Sequence, residues 1–286
     1  MEVKGWKYYH HAAIPNCAPH EAPDLQSVSS GEVWKIDGGR PIFASWTLDF
    51  DCPEETDWWY VIKDAPFDIS ALKAKRRYEI NKGIKNFEVV RINPEDHKEA
   101  LYDVTEAAYS AYPKKYRPTM NKEFFFRDIR DMWKNSVAFG AFSRETNKLC
   151  GYALVSRQSE RNLALWSLKA NPQYEKFAVN AALVEGVLRF YSEFLAGDGY
   201  MCDGARSINH ETAFQDYLEK YFDFRKAYCK LHVKYNPKIK YAICCIYPLR
   251  KFLRLFDFVG IVHQLNSVLK MEEHSVARSK KTQKSL

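Results

Sequence analysis

From residue 87 onward the spacing of apolar residues switches repeatedly between two and about 3.6, and each switch predicts an element. "FEVVRI" (87–92) reads as a strand. In "NPEDHKEALYDVTEAAYSAY", Asn93 stands as a cap and Ala100, Leu101, Val104, Ala108 and Ala111 share a helical face; "NKEFFFRDIRDMW" is a second helix. Three β runs follow, "SVAFGAF" (136–142), "CGYALVS" (150–156) and "LALWSL" (163–168), the first two joined by the turn-like "SRETNK". "FAVNAALVEGVLRFYSEFL" then places Phe177, Ala181, Val184, Leu188, Tyr191 and Leu195 at helical spacing. A strand "YMCD" comes next, followed by a helix carrying Phe214, Tyr217, Leu218, Tyr221 and Phe222. A last strand, with Ala227, Cys229, Leu231, Val233 and Tyr235 on one side, completes the order β-α-α-β-β-β-α-β-α-β.

Upstream, residues 1–30 carry little pattern, and "EVWKI", "RPIFASWTLDF" and "DWWYVIKD" predict short strands cut by Gly, Pro and Asp. The basic stretch from Ala71 has helical composition up to Gly83, which reads as a C-cap. Downstream, 241–270 mixes dense apolar residues with Arg250, Lys251 and Arg254. A helix packed on the domain and a monotopic membrane contact both fit it, while Pro248 and Gly260 break any single long amphipathic helix. The pattern divides the chain into a small β-rich N-terminal half with a basic helix (1–86), a domain at 87–240, and a C-terminal helical extension with a basic, disordered tail (241–286).

Composition narrows the class. With 286 residues, 46% of them hydrophobic, the chain can bury one large core or two moderate ones. No run approaches membrane-spanning length and the start lacks a basic-then-apolar signal pattern, so a cytoplasmic protein is expected, with association at the inner face of the membrane as the variant reading. Seven cysteines without a CxxC or a Cys/His cluster indicate neither a disulfide framework nor a metal site, and are read as small, reduced core residues. The net charge of +7 is local. "KAKRRYEINKGIK" (73–85) contributes +5 and the tail 278–286 contributes +4, which suits a site for an anionic partner or a solvated face better than general nucleic-acid binding.

The element order, together with "LKAKRRYEINKGIKNFEVVRI" and "DGARSINHETAFQDYLEKYFDFRKAY", resembles the GNAT acyltransferases over 87–235 and, over roughly 30–240, their FemAB-related branch. The resemblance implies an α/β (α+β) fold, a GNAT-like mixed sheet flanked by helices, with a smaller degenerate GNAT-like half before it. It implies an acyl- or aminoacyltransferase acting on a cell-envelope glycan precursor, taking acyl-CoA or an aminoacyl-tRNA as donor and an anionic glycan or a nucleotide-linked compound as acceptor. The alternative is a noncatalytic GNAT-like module that binds an anionic glycan or nucleotide-sugar.

In this family the sheet splits between its fourth and fifth strands, and the donor's pyrophosphate lies on the amides opening the helix after the fourth. The resemblance therefore assigns donor contacts to Lys169, Tyr174, Lys176, Phe177, Ala178, Val179 and Asn180. The family's R/Q-x-x-G-x-G/A loop is lost, because no glycine stands between Pro172 and Leu183. Acceptor contacts fall to Arg76, Arg77, Lys82, Arg206 and Gln215. The turn after the fifth strand supplies His210 as a candidate base with Asp203 to orient it; helix capping by Asn209 or Thr212, with Arg206 paired to Asp203, is the competing reading. Tyr217 sits near the family's general-acid tyrosine but on the apolar stripe, so packing and acid roles both remain open.

Overall fold

The computed structural model describes residues 2–112, 114, 117–208, 213–257 and 260–275. Its strands are β1 (Trp6–Tyr9), β2 (Ala12–Pro15), β3 (Phe43–Leu48), β4 (Trp58–Lys63), β5 (Phe87–Ile92), β6 (Ser136–Ser143), β7 (Leu149–Arg157), β8 (Asn162–Ala170), β9 (Tyr200–Ala205) and β10 (Arg225–Tyr235). The helices are α1 (Gln26–Ser30), α2 (Ala74–Asn86), α3 (Lys98–Ser110), α4 (Lys122–Asp131), α5 (Val179–Phe190), α6 (Ser192–Ala196), α7 (Ala213–Phe222), α8 (Pro237–Ile246), α9 (Arg250–Leu253) and α10 (Gly260–Glu273).

These elements form two compact units, residues 1–60, 205–212 and 226–286 in the first and 61–204 and 213–225 in the second. The boundaries expected at 86 and 240 do not coincide with them. The reason is strand exchange: β10 pairs antiparallel with β3, from Tyr235 opposite Phe43 to Lys230 opposite Leu48, so most of the last strand groups with the N-terminal residues.

In the first unit the strand order is β1-β2-β3-β10-β4, with β1 and β2 a tight hairpin and β2 parallel to β3. Val3, Trp6, Val28, Val33 and Ile36 make one small core there. The expected strand "EVWKI" is instead a 3₁₀ turn over Glu32–Lys35: Gly31 enters it at φ 83°, and Val33 and Ile36, three apart, both turn inward. The C-terminal helices rest on this unit through Ile243 and Leu269, which pack with Ala12, Phe43 and Tyr235.

In the second unit the order is β4-β9-β8-β7-β6-β5. From β5 to β8 all pairs are antiparallel, and β8 runs parallel to β9. Asn93 and Asn121 cap the helical segments that begin beside them, accepting from the amides of Glu95 and Phe124. Leu101, Val104 and Ala108 of α3 face the sheet with Ile129, Trp133 and Tyr152. The long helix expected from Phe177 to Leu195 is broken at Tyr191 into α5 and α6, and Phe177 lies exposed in a 3₁₀ turn before it.

Two expectations need correction. Helix α2 does not stop at Gly83 but runs three residues past it to Asn86. Gly83 is buried instead of capping, because its backbone lies directly against α5: a Cβ there would come within 2.6 Å of the Ala178 carbonyl oxygen and 2.8 Å of the Ala182 nitrogen. The cysteines are not all core residues either; Cys150, Cys202 and Cys229 are buried, whereas Cys17, Cys244 and Cys245 are exposed.

Candidate active site

The parallel pair β8–β9 is held at Asn162–Tyr200, Leu163–Met201 and Ala164–Cys202, all at the start of β8. Beyond these pairs the two strands share no register, and Leu165–Ala170 of β8 part from Asp203–Ala205 of β9. Asp203 is the first β9 residue past the last of these pairs.

Burial dominates the chemistry of Asp203. With little water around it, the charged form is disfavoured, and the carboxyl is pushed up to about 7, even though Gln215 on α7 donates a hydrogen bond that works the other way. Its neighbour Cys202 is buried too, and its thiol is pushed up to about 12; the Gly204 amide donates to its sulfur at 3.2 Å. One turn along α7 from the start of the helix, Tyr217 stacks on Phe214 and packs against Tyr221 and Phe222, so the apolar stripe is real. Its phenol is held well above the usual range by burial, and then by the negative charge of Glu79 on α2. Asp203, Gln215, Tyr217 and Glu79 all belong to the second unit. Glu79 is the member that sequence reasoning missed; its only signal was being the lone acid in the basic helix.

Trp166, Ser167 and Lys169 of β8 border a cavity of about 320 Å³ that residues 118–121, just before α4, also line. Its wall is aromatic, with Tyr109, Phe124, Phe125, Trp133, Tyr152 and Trp166. Inside it the Tyr152 hydroxyl is 2.9 Å from Thr105 Oγ1, which donates to the Leu101 carbonyl at 2.7 Å. Burial pushes the Tyr152 phenol up to about 12. Lys169 lines the same cavity with its Nζ 5.1 Å from the centre of the Tyr109 ring, a cation held by an aromatic face.

The remaining donor candidates stand elsewhere. Tyr174 packs on Phe87 and shares a hydrogen bond with the Cys150 thiol, and Lys176 lies over the Phe177 ring at the surface. Ala178 adopts the left-handed conformation at φ 65°, and Val179 and Ala181 behind it reach no solvent at all. The amides at the start of α5 are therefore covered, with the Gly83 turn of α2 lying on them. Asn180 Oδ1 is buried without a hydrogen-bond partner among the described residues.

Of the acceptor candidates, Arg76 and Lys82 are half-buried on α2, while the Arg77 guanidinium turns back to donate to the Ser70 carbonyl at 3.0 Å. Arg206 belongs to the first unit and is not paired with Asp203. Its guanidinium lies 4.2 Å over the Trp59 ring and donates to the Asp57 carbonyl at 2.6 Å. His210, with Asn209 and Thr212, lies outside the described residues. Among the described residues no cluster of three or more His, Cys, Asp or Glu side chains could hold a metal ion.

No protein-family model and no curated protein matches the chain. Among solved structures it is similar to FemX, at 8% identity and a TM-score of 0.53 over 77% of this chain and 78% of that one. It is also similar to L-PGS from Bacillus licheniformis, at 10% identity and a TM-score of 0.50 over 84% of this chain and 83% of that one. At such identities the likeness is one of fold alone: the chain shares the architecture of FemX and L-PGS.

Proposed function

We propose that the protein transfers an aminoacyl group from a charged tRNA to an amine or hydroxyl of an anionic, cell-envelope glycan precursor, with Asp203 as the base. The observation that carries this reading is the Asp203 carboxyl, buried where β8 and β9 part and shifted to about 7, where it can take and return a proton near neutral pH. The acceptor nucleophile attacks the donor's ester carbonyl and gives its proton to Asp203. The tRNA ribose oxygen leaves and takes a proton, for which Tyr217 on α7, kept protonated by burial and by Glu79, is the candidate. Arg76 and Lys82 meet the acceptor's phosphate, and the aromatic cavity beside Lys169 receives the transferred side chain. The glycan-precursor acceptor comes from the FemAB-related resemblance alone.

The choice of tRNA over coenzyme A rests on α2. A thioester donor of the usual GNAT kind lays its pyrophosphate on the amides that open the helix after the fourth strand, and here that first turn is packed under Gly83. The test is direct. The protein is incubated with tRNA charged with a labelled amino-acid mixture, or with acetyl-CoA, and with a nucleotide-linked amino sugar, and the acceptor's mass is read. An aminoacyl mass increase that Asp203→Asn abolishes supports the reading. An acetyl increase at comparable rate contradicts the donor, and no increase from either donor contradicts the activity.

A further inference from the structure

The first unit carries a surface where exposed apolar and basic side chains come together in one stretch of the chain. From Pro237 to Phe256 there is no acidic residue, and Lys238, Lys240, Arg250, Lys251 and Arg254 are spread among apolar side chains. Ile243 and Tyr247 turn inward onto the core with Leu253. Their neighbours do not: Tyr241 is 79% exposed, Leu249 57%, Phe252 59% and Leu255 70%. At about 100° per residue, Lys238, Tyr241 and Cys245 fall on the side of α8 opposite Ile243. Phe252 and Phe256 hold their rings 5.1 Å apart at the surface.

The charges divide as cleanly. Arg250 donates to Glu273 Oε1 at 2.6 Å and Arg254 bonds the same carboxylate, so these two guanidiniums are tied into the fold. Lys238, Lys240 and Lys251 form no ion pair among the described residues. What is exposed over 237–256 is a set of large apolar and aromatic groups interspersed with lysines that form no ion pair among the described residues. Apolar side chains in such numbers are costly to leave in water, and the cations select an anionic occupant.

We infer that residues 237–256 form a monotopic docking surface for an anionic phospholipid bilayer. Leu249, Phe252 and Leu255 enter the acyl boundary, and Lys238, Lys240 and Lys251 meet headgroup phosphates. Contact of this kind needs no crossing segment, and among the described residues no helix is long and apolar enough to cross a membrane. The inference stands apart from the proposed transfer reaction, since it uses none of that site's residues.

The experiment is flotation of the full chain with vesicles of phosphatidylcholine alone or with an equal part of phosphatidylserine, at low and high salt. The protein is expected to float with the mixed vesicles and to do so at least about tenfold less with the neutral ones or at high salt. Phe252→Glu with Leu255→Glu, and separately Lys238→Glu with Lys240→Glu and Lys251→Glu, should each lower partitioning by at least about tenfold. These side chains are largely in solvent, so melting temperature should hold. Should a variant misfold, hydrogen exchange on the unaltered protein decides, with slowed exchange over 238–256 on adding mixed vesicles and not on adding neutral ones. Wild type that stays behind with both vesicle types overturns the inference. So does a lipid-free, concentration-dependent dimer that protects the same segment, which makes a second copy of the chain the occupant.

Discussion

Gly83 of α2 lies against Ala178 at the mouth of α5, close enough that a side-chain carbon would stand 2.6 Å from the Ala178 carbonyl oxygen. The neighbouring atoms are backbone and cannot rotate away. In an open helix, Gly→Ala stabilises by up to about 1 kcal/mol. Here the two helices must separate, so Gly83→Ala is expected to destabilise the fold by about 1–3 kcal/mol, read by urea denaturation. A variant more stable than wild type would show that α2 does not pack there.

The same contact governs coenzyme A. Val179 and Ala181 are fully buried, so a pyrophosphate cannot reach their amides while α2 is in place. Acetyl-CoA is expected to bind no tighter than about 100 μM, near −5.5 kcal/mol. Calorimetry giving a micromolar constant at one-to-one stoichiometry contradicts this.

How much of this the sequence discloses depends on how far apart the partners lie along the chain. Strands β5 to β10 follow from local alternation, and the Asn93 cap from its position before an apolar-periodic run. The β1–β2 hairpin is hidden because its turn is built from His10 and His11 at φ 44° and 65°, conformations usually marked by Gly or Asn. Gly83 reads as a cap because nothing local names Ala178 as its neighbour, and Glu79 reads as a stray acid because Tyr217 comes from a distant helix. Asp203 is legible as a candidate, but its burial, the property that brings its carboxyl near neutrality, depends on elements brought over it by the whole unit.

That burial has a signature in stability. Asp203 titrates near 7 when folded and near about 4 when unfolded, so over this range the native state binds the extra proton. Its contribution is full below about pH 4 and is lost as pH rises through about 7, at up to about 1.4 kcal/mol per pH unit. Asp203→Asn should flatten the stability curve over that window and gain on wild type at about pH 8. Parallel urea midpoints for the two proteins from acid to mild alkali contradict a buried, neutralised carboxyl.

Acceptor binding should separate the arginines of α2. Arg77 is engaged with Ser70, whereas the side chains of Arg76 and Lys82 have no such bond among the described residues. Arg76→Ala with Lys82→Ala is expected to raise the apparent acceptor constant about tenfold or more, to remove much of its salt dependence, and to leave the melting temperature unchanged. Arg77→Ala is expected to do the reverse, lowering stability by about 1 kcal/mol with little effect on the acceptor. Equal acceptor constants for all three proteins rule out α2 as the phosphate contact.

The central claim is that Asp203 takes the nucleophile's proton, and the pH dependence of transfer tests it most directly. Wild-type transfer from charged tRNA should rise through about pH 7 as the carboxyl ionises, then level off. Asp203→Asn should lose about 10²–10⁴-fold in rate and lose that rising limb, while still melting cooperatively. An Asp203→Asn protein that keeps the wild-type rate and the same limb near pH 7 contradicts the assignment and passes the proton to another group.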